Sequence, residues 1–377
     1  EEFRLDFLGL VAFNDPPKAN ISGVFQQFYT AGIQVKIITG DNALTTAAIA
    51  KQTGFRGAEK TMNGDEMMLL DDADLRKVVH DTNIFTRMFP EAKLRIIKAL
   101  QAEGHVVAMT GDGVNDGPAL KAAHIGIAMG KRGSELAKEA ASLILVNDDL
   151  GNMVEAVALG RKIYSNLKKA IQYIISIHIP IILTVSLPLF LGWIYPNIFT
   201  PLHVIFLELI MGPTCSIVYE NEPLEKDGML RSPRPLSLTF LTWKDLSISI
   251  WQGLVITLGT LGAYQISVQQ GYHEELVRTM VFSTLVIANI GLTLVNRSFT
   301  ASLFTSYGNS NLLLRGMLLL TIGLLVAMLY IPVIRSFFHL ASPTLTQLGL
   351  SAVIGLASVL WFEVYKWIKR RSISAVK

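Results

Sequence analysis

Residues 109–120 read MTGDGVNDGPAL and hold the densest set of groups suited to phosphate chemistry in this 377-residue sequence. Asp112 and Asp116 are hard oxygen donors of the kind that hold Mg²⁺, while Gly111 and Gly113 let backbone N–H groups approach phosphoryl oxygens. Asn115 sits between the two carboxylates, and Thr110 precedes the first glycine. A turn followed by a helix cap uses the same residue types and is the plain alternative for a bare GDG. The longer string favours a site. Thr39-Gly40-Asp41-Asn42 is a second string of this kind, and Lys93 follows a Phe-Pro-Glu-Ala run that opens a helical pattern.

Such groups work only when sheet and helix ends hold them together. Short β-branched runs at 6–13, 33–39, 83–87, 105–110, 124–129 and 143–146 alternate with helical patterns at 21–31, 42–53, 90–103 and 134–141. This alternation predicts a Rossmann-like α/β fold, a parallel sheet covered on both faces. Functional loops in such sheets gather beyond the carboxyl ends of the strands, where Thr39–Gly40 and Gly111–Asp112 fall.

Composition divides the chain. Overall it is 51% hydrophobic and 17% charged, but most charge lies before residue 170. Beyond it come six apolar runs, 173–195, 200–219, 246–268, 279–296, 316–334 and 345–362, each near the ~20 helical residues that cross a hydrocarbon core. The expected division is an α/β domain at 1–150, a stalk helix at 151–170, and an all-α six-helix transmembrane domain at 171–371.

Basic residues orient the spans. With the α/β domain in the cytoplasm, inner segments carry Arg161, Lys162, Lys168, Lys169, Lys226, Arg231, Arg234, Lys244, Arg297, Arg315, Lys366, Lys369, Arg370, Arg371 and Lys377. Outer loops carry only Arg278 and Arg335, which puts the C-terminus in the cytoplasm too. The net charge of +3 gives no reason to expect nucleic acid, and the single Cys215 excludes a disulfide framework. The chain starts at Glu1 in a strand-like run, which reads as a piece of a longer protein.

TGDGVNDGPAL resembles the hinge signature of P-type ATPases, whose phosphorylation domain is haloacid-dehalogenase-like. Asp15-Pro16-Pro17-Lys18 resembles that family's DPP(R/K) element, Thr39 to Asn42 its TGDN element, and Phe85 to Lys93 its FARVxPxxK element. Gly126 to Gly130, Ala137-Lys138 and Asp148-Asp149 continue the pattern, nearest the calcium-pump branch. The resemblance implies that Asp112, with Asp116, coordinates Mg²⁺ and that Asn115 helps place the ion and the phosphoryl oxygens. It implies that Lys93 neutralises phosphate charge and that Thr39 and Gly40 lie against the phosphate. Asp41, Arg87, Thr110 and Gly111 would serve ATP and its hinge. The family's DKTGT nucleophile string and TGE loop do not occur in the sequence. An aspartyl-phosphate mechanism therefore needs the N-terminal half of the same pump.

Within the first two spans the ionisable groups are His178 and Glu208, with His203 nearer the outer end. Buried ionisable groups are functional candidates by default. Calcium pumps supply oxygen ligands at these positions, but here Ile181, Met211 and Gly212 replace several of them, and Asn289 stands on the fourth span. Glu363 and Lys366 read as an interfacial pair. The resemblance implies ATP-driven cation transport, with calcium as default and a proton or another cation open, in a bacterial plasma membrane. A membrane-tethered phosphatase would use the same sheet, but a tether needs one span rather than six. A catalytically dead scaffold would not need Lys93, Asp112, Asn115 and Asp116 intact.

Overall fold

The computed structural model describes residues 8–9, 16–235, 239–303 and 311–374. The strand expected at 6–13 and the aspartate of the DPPK string, Asp15, lie outside the described residues apart from 8–9. Two compact units form, Glu1–Ala158 with Met229–Leu238, and Leu159–Gly228 with Thr239–Lys377.

The first unit runs α1 (Ile21–Thr30), β1 (Ile37–Ile38), α2 (Ala43–Gln52), β2 (Thr61–Asn63), α3 (Gly64–Met68), α4 (Asp72–Asp81), β3 (Ile84–Thr86) and α5 (Pro90–Ala102). It continues with β4 (Ala108–Gly111), a 3₁₀ turn (Val114–Asp116), α6 (Gly117–Ala122), β5 (Ile125–Met129), α7 (Glu135–Ala140) and β6 (Leu143–Leu145). Its strands form two parallel three-stranded sheets, ordered β1-β3-β2 and β4-β5-β6. The parallel character expected from the β–α alternation is present, divided between two ladders.

Local signals explain the helix starts. Asn42 accepts the Thr45 N–H at 2.9 Å, Asp71 that of Asp74 at 2.8 Å, and Ser134 that of Ala137 at 3.2 Å, each satisfying an orphan donor. Pro90 opens α5, where its missing N–H costs nothing. β2 and α3 escape the sequence pattern because they are only three and five residues long, whereas α4 escapes it despite ten residues and a buried Leu75–Val79 face. β3, by contrast, is fully buried, which marks a central strand.

Among the four apolar clusters of this unit, one holds Met67, Phe85 and Ile96 and another Ile97, Met109 and Leu120. Ile38 and Leu100 pack against both, so the interior is continuous across the two sheets. Burying each large side chain contributes about 1.5–3 kcal/mol. The arrangement brings the carboxyl ends of β1 and β4, and the start of α5, into one α/β body.

The second unit holds α8 (Gly151–Phe190), α9 (Pro201–Pro213) continued by a π-helical stretch (Thr214–Tyr219), α10 (Trp243–Gln269), α11 (Glu274–Val295), α12 (Leu312–Tyr330), α13 (Pro332–Phe337) and α14 (Leu345–Ser374). Six of these helices are long and apolar enough to cross a membrane. α8 runs unbroken from the stalk into the first span, as expected, and ends at Phe190 because Gly192 takes a left-handed φ of 62°. The fifth span stops at Tyr330 rather than 334, since Pro332 lacks the N–H that would continue it. α11 is buried along almost its whole length and forms the centre of the bundle.

Two readings of charge need correction. Arg278 was expected in an outer loop, but it lies within α11, is buried, and donates from Nε to the Ile198 carbonyl at 2.7 Å. Lys366 was expected at an interface, but it is 1% exposed and donates to the carbonyls of Val295 and Ser298, both at 3.0 Å. Both cations satisfy main-chain carbonyls, Arg278 in the loop before α9 and Lys366 at the end of α11.

Candidate functional site

Gly111 ends β4, and the chain folds back so that Asp116 lies directly against it. A Cβ on Gly111 would stand 2.5 Å from the Asp116 Cβ, so no other residue fits without displacement. Asp116 Oδ2 accepts the N–H groups of Asp112 at 3.3 Å and Gly113 at 3.2 Å. Its Oδ1 accepts the Lys93 ammonium at 2.7 Å. The two side chains of this pair are 13% and 10% exposed, so water screens them little. Asp116 is thus committed to three donors that hold the turn in shape. Asp112 and Asn115 are exposed on the same turn.

The second loop is stitched to the end of β3. Thr39 N–H donates to the Phe85 carbonyl at 2.9 Å, Met88 N–H to the Thr39 carbonyl at 2.9 Å, and Arg87 N–H to the Asp41 carbonyl at 3.0 Å. Asp41 N–H donates to Thr39 Oγ1 at 3.1 Å, which leaves Gly40 at the exposed tip. Arg87 is held at φ 51°, an uncommon conformation for a residue with a side chain. α5 starts two residues beyond Met88 and carries Lys93 to Asp116. One short helix therefore connects the two loops.

Asp148 and Lys18 complete the surroundings, and the sequence strings alone did not show their contacts. Asp148, at φ 55°, accepts the N–H groups of Lys131 at 2.9 Å and Arg132 at 3.0 Å, while Lys18 Nζ donates to its carbonyl. The Lys131 N–H is the main reason its carboxyl titrates below the ordinary carboxylate range, helped by the Arg132 N–H and the nearby Lys18 charge. A hollow of about 350 Å³ has Lys18, Arg132, Asp148 and Asp112 on its polar side and Ile37, Phe25 and Ile49 on its apolar side.

The donor set suits Mg²⁺ better than a caged metal. Among the described residues no three His, Cys, Asp or Glu side chains converge. Mg²⁺ is commonly held by one or two carboxylates with waters and substrate phosphates completing the shell. Asp112, exposed beside the committed Asp116, fits that mode.

In the helical unit, His178 on α8 and Glu208 on α9 come together, with Nε2 3.2 Å from Oε1. His178 Nδ1 lies 2.8 Å from the Ile174 carbonyl and donates to it. Nδ1 is therefore protonated, which leaves Nε2 to face the Glu208 carboxyl, and the two side chains are 39% and 50% exposed. Asn289 is elsewhere engaged, its Oδ1 accepting the Tyr173 hydroxyl at 2.5 Å. His203 is fully buried among Phe199, Phe282 and Phe338.

Residues 196–368 match the family described as "Cation transporting ATPase, C-terminus", and residues 1–124 match the haloacid dehalogenase-like hydrolases. The chain belongs to the P-type cation-transporting ATPases. A calcium-transporting ATPase of Bacillus subtilis is 36% identical over 363 residues, covering 93% of this chain and 40% of that protein. One from Listeria monocytogenes is 32% identical over 373 residues, covering 98% and 42%, and the human calcium-transporting ATPase type 2C member 1 is 33% identical over 371 residues, covering 97% and 40%. The chain thus spans about two fifths of the length of these P-type relatives. Its first unit is haloacid-dehalogenase-like, and its helical unit is that of an integral membrane protein.

Proposed function

We propose that this chain supplies phosphoryl-transfer and membrane parts of an ATP-driven cation pump working through an aspartyl phosphate. The observation that carries the reading is the Lys93–Asp116–Gly111 arrangement. It fixes a buried ammonium and an open Asp112 carboxylate at the carboxyl end of a parallel strand. Lys93 would stabilise charge developing on the transferred phosphoryl group, and Asp116 would hold that ammonium in place. Asp112 would hold Mg²⁺, with Asp116 beside it and Asn115 placing the phosphoryl oxygens. When bound, Mg²⁺ supplies further neutralisation of phosphate charge. Thr39 and Gly40 would border the phosphate, and Asp41, Arg87, Thr110 and Gly111 would serve the nucleotide and hinge. The aspartate nucleophile comes from the N-terminal half of the same pump.

The transported ion binds at Glu208 and His178 in this reading. The relatives' names give calcium as the first candidate. Two groups alone are far from the six to eight oxygens calcium takes, which keeps a proton or another cation open. The first unit and the C-terminus face the cytoplasm of a bacterium, with the spans in its plasma membrane.

Cation- and pH-dependent ATPase activity of the full-length protein tests this. Glu208→Gln and His178→Ala should each shift the activating cation concentration or the pH optimum by tenfold or more. Unchanged dependence in both variants would place the transport site elsewhere.

A further inference from the structure

One buried glutamate ties together segments of four helices. Beyond Pro213, α9 loosens into the π-helical stretch Thr214–Tyr219, and the chain then delivers Glu222 into the bundle. Glu222 is 4% exposed. Its Oε1 accepts from Arg297 Nε at 2.9 Å and from Asn311 Nδ2 at 2.8 Å, and its Oε2 accepts from Arg297 Nη2 at 3.2 Å. Its carbonyl accepts from Asn166 Nδ2 at 2.7 Å. Arg297 follows α11, Asn166 lies on α8, and Asn311 caps α12 through the Leu314 N–H. Asn311 Nδ2 also reaches the Val218 carbonyl at 3.1 Å, inside the π-helical stretch.

A buried ion pair contributes little net stability over an apolar pair of similar volume, and its value lies in fixing one register. A two-pronged guanidinium–carboxylate contact allows one orientation only. From this point two arms run into the membrane. Asn166 precedes His178 by 12 residues on α8, about 18 Å at ~1.5 Å per residue. Glu208 precedes Glu222 by 14 residues, through the end of α9, the π-helical stretch and a turn. The two arms meet again at the His178–Glu208 contact. The α9 arm holds the longer pliable part, since Pro213 lacks a donor and π-helical turns bond loosely, whereas in the α8 arm Pro180 removes a single bond, to the Ser176 carbonyl.

We propose that Glu222 is a positioning residue, the anchor that fixes the depth of Glu208 against His178. Its role in transport rests on the assignment of that pair as the ion site. With the anchor in place, α9 bends at residues 213–219 and returns Glu208 to one position. Without it, α9 slides and the pair separates.

The test uses the full-length protein in membranes, with His178→Cys and Glu208→Cys in a Cys215→Ser background, and a short bis-methanethiosulfonate linker. Adding Glu222→Met with Arg297→Met removes the polar anchor while keeping buried volume. Cross-linking should then slow at least tenfold, and a rate within twofold of the parent would overturn the proposal. If the double methionine variant does not fold, Arg297→Lys, which keeps the charge and loses the fork, decides by the same assay. A parallel measurement separates the two claims. Glu222→Met with Arg297→Met in an otherwise native pump should shift the half-activating cation concentration more than the maximal rate. Slower cross-linking with unchanged cation dependence keeps the anchor and removes the ion site from His178 and Glu208.

Discussion

The Gly111–Asp116 turn and the polar contacts of the helical unit solve one problem, holding charge in a fixed place, by opposite means. Around Asp116 the holding groups are local. Asp116 takes backbone N–H groups three and four residues away and an ammonium 23 residues away. In the helical unit the polar contacts join distant segments, 116 residues apart for Tyr173 and Asn289 and 75 for Arg297 and Glu222. The first kind of site survives as a short string in a sequence. The second exists only once the bundle has assembled.

The largest effect expected from breaking this contrast is at Lys93. Lys93→Ala removes the ammonium from a nearly buried carboxylate and from the phosphoryl group. Phosphorylation should fall about 10²–10³-fold, the usual consequence of losing one oriented donor at developing charge. Rapid-quench labelling with ATP measures it, and a loss under fivefold would make Lys93 a structural partner of Asp116 alone.

In the membrane unit, Tyr173→Phe strips the Asn289 carbonyl of its buried donor. The expected destabilisation is about 1–3 kcal/mol, read as a lower melting temperature in detergent. An unchanged melting temperature would mean that another group satisfies Asn289. A smaller effect is expected at a helix start in the first unit. Asn42→Ala should cost about 1 kcal/mol, because one capped N–H loses its acceptor.

A further effect is a pH dependence. Burial lowers Lys36 from 10.5 to about 8, against the raising influence of Asp81. Between these values the unfolded chain binds the proton that the folded chain has released. Stability therefore rises as pH increases from about 8 towards 10.5, and Lys36 contributes no slope below that window. Comparing melting temperatures across the window with those of Lys36→Gln should isolate a shallow upward slope in the parent. A parallel slope in the variant would assign it to other groups.

The same contrast explains what was legible before the fold was known. Gly111, Asp112 and Asp116 stood out because a phosphate-binding turn needs specific residue types within a few positions, whatever surrounds it. The six spans stood out because crossing a membrane requires length and apolarity, which are counted without knowing the packing. β2 and α3 did not, since three and five residues leave no period, while α4 was missed because its apolar face is only Leu75 and Val79 among charged residues. Buried Arg278 and Lys366 were misread because charge normally marks an interface. The carbonyls that receive them belong to segments 61 to 80 residues away for Arg278 and 65 to 71 for Lys366. His178 and Glu208 were visible as rare ionisable groups in apolar runs, but their 3.2 Å approach shows only in the folded bundle.

The central claim is that the Gly111–Asp116 turn serves an aspartyl-phosphate cycle, and phosphoenzyme formation in the full-length protein tests it most directly. With radioactive ATP and Mg²⁺, the parent should form an acid-stable covalent label. Asp112→Asn should fold normally and lose that label by orders of magnitude. A variant that labels like its parent at ordinary Mg²⁺, or a full-length protein that never labels, would contradict the account.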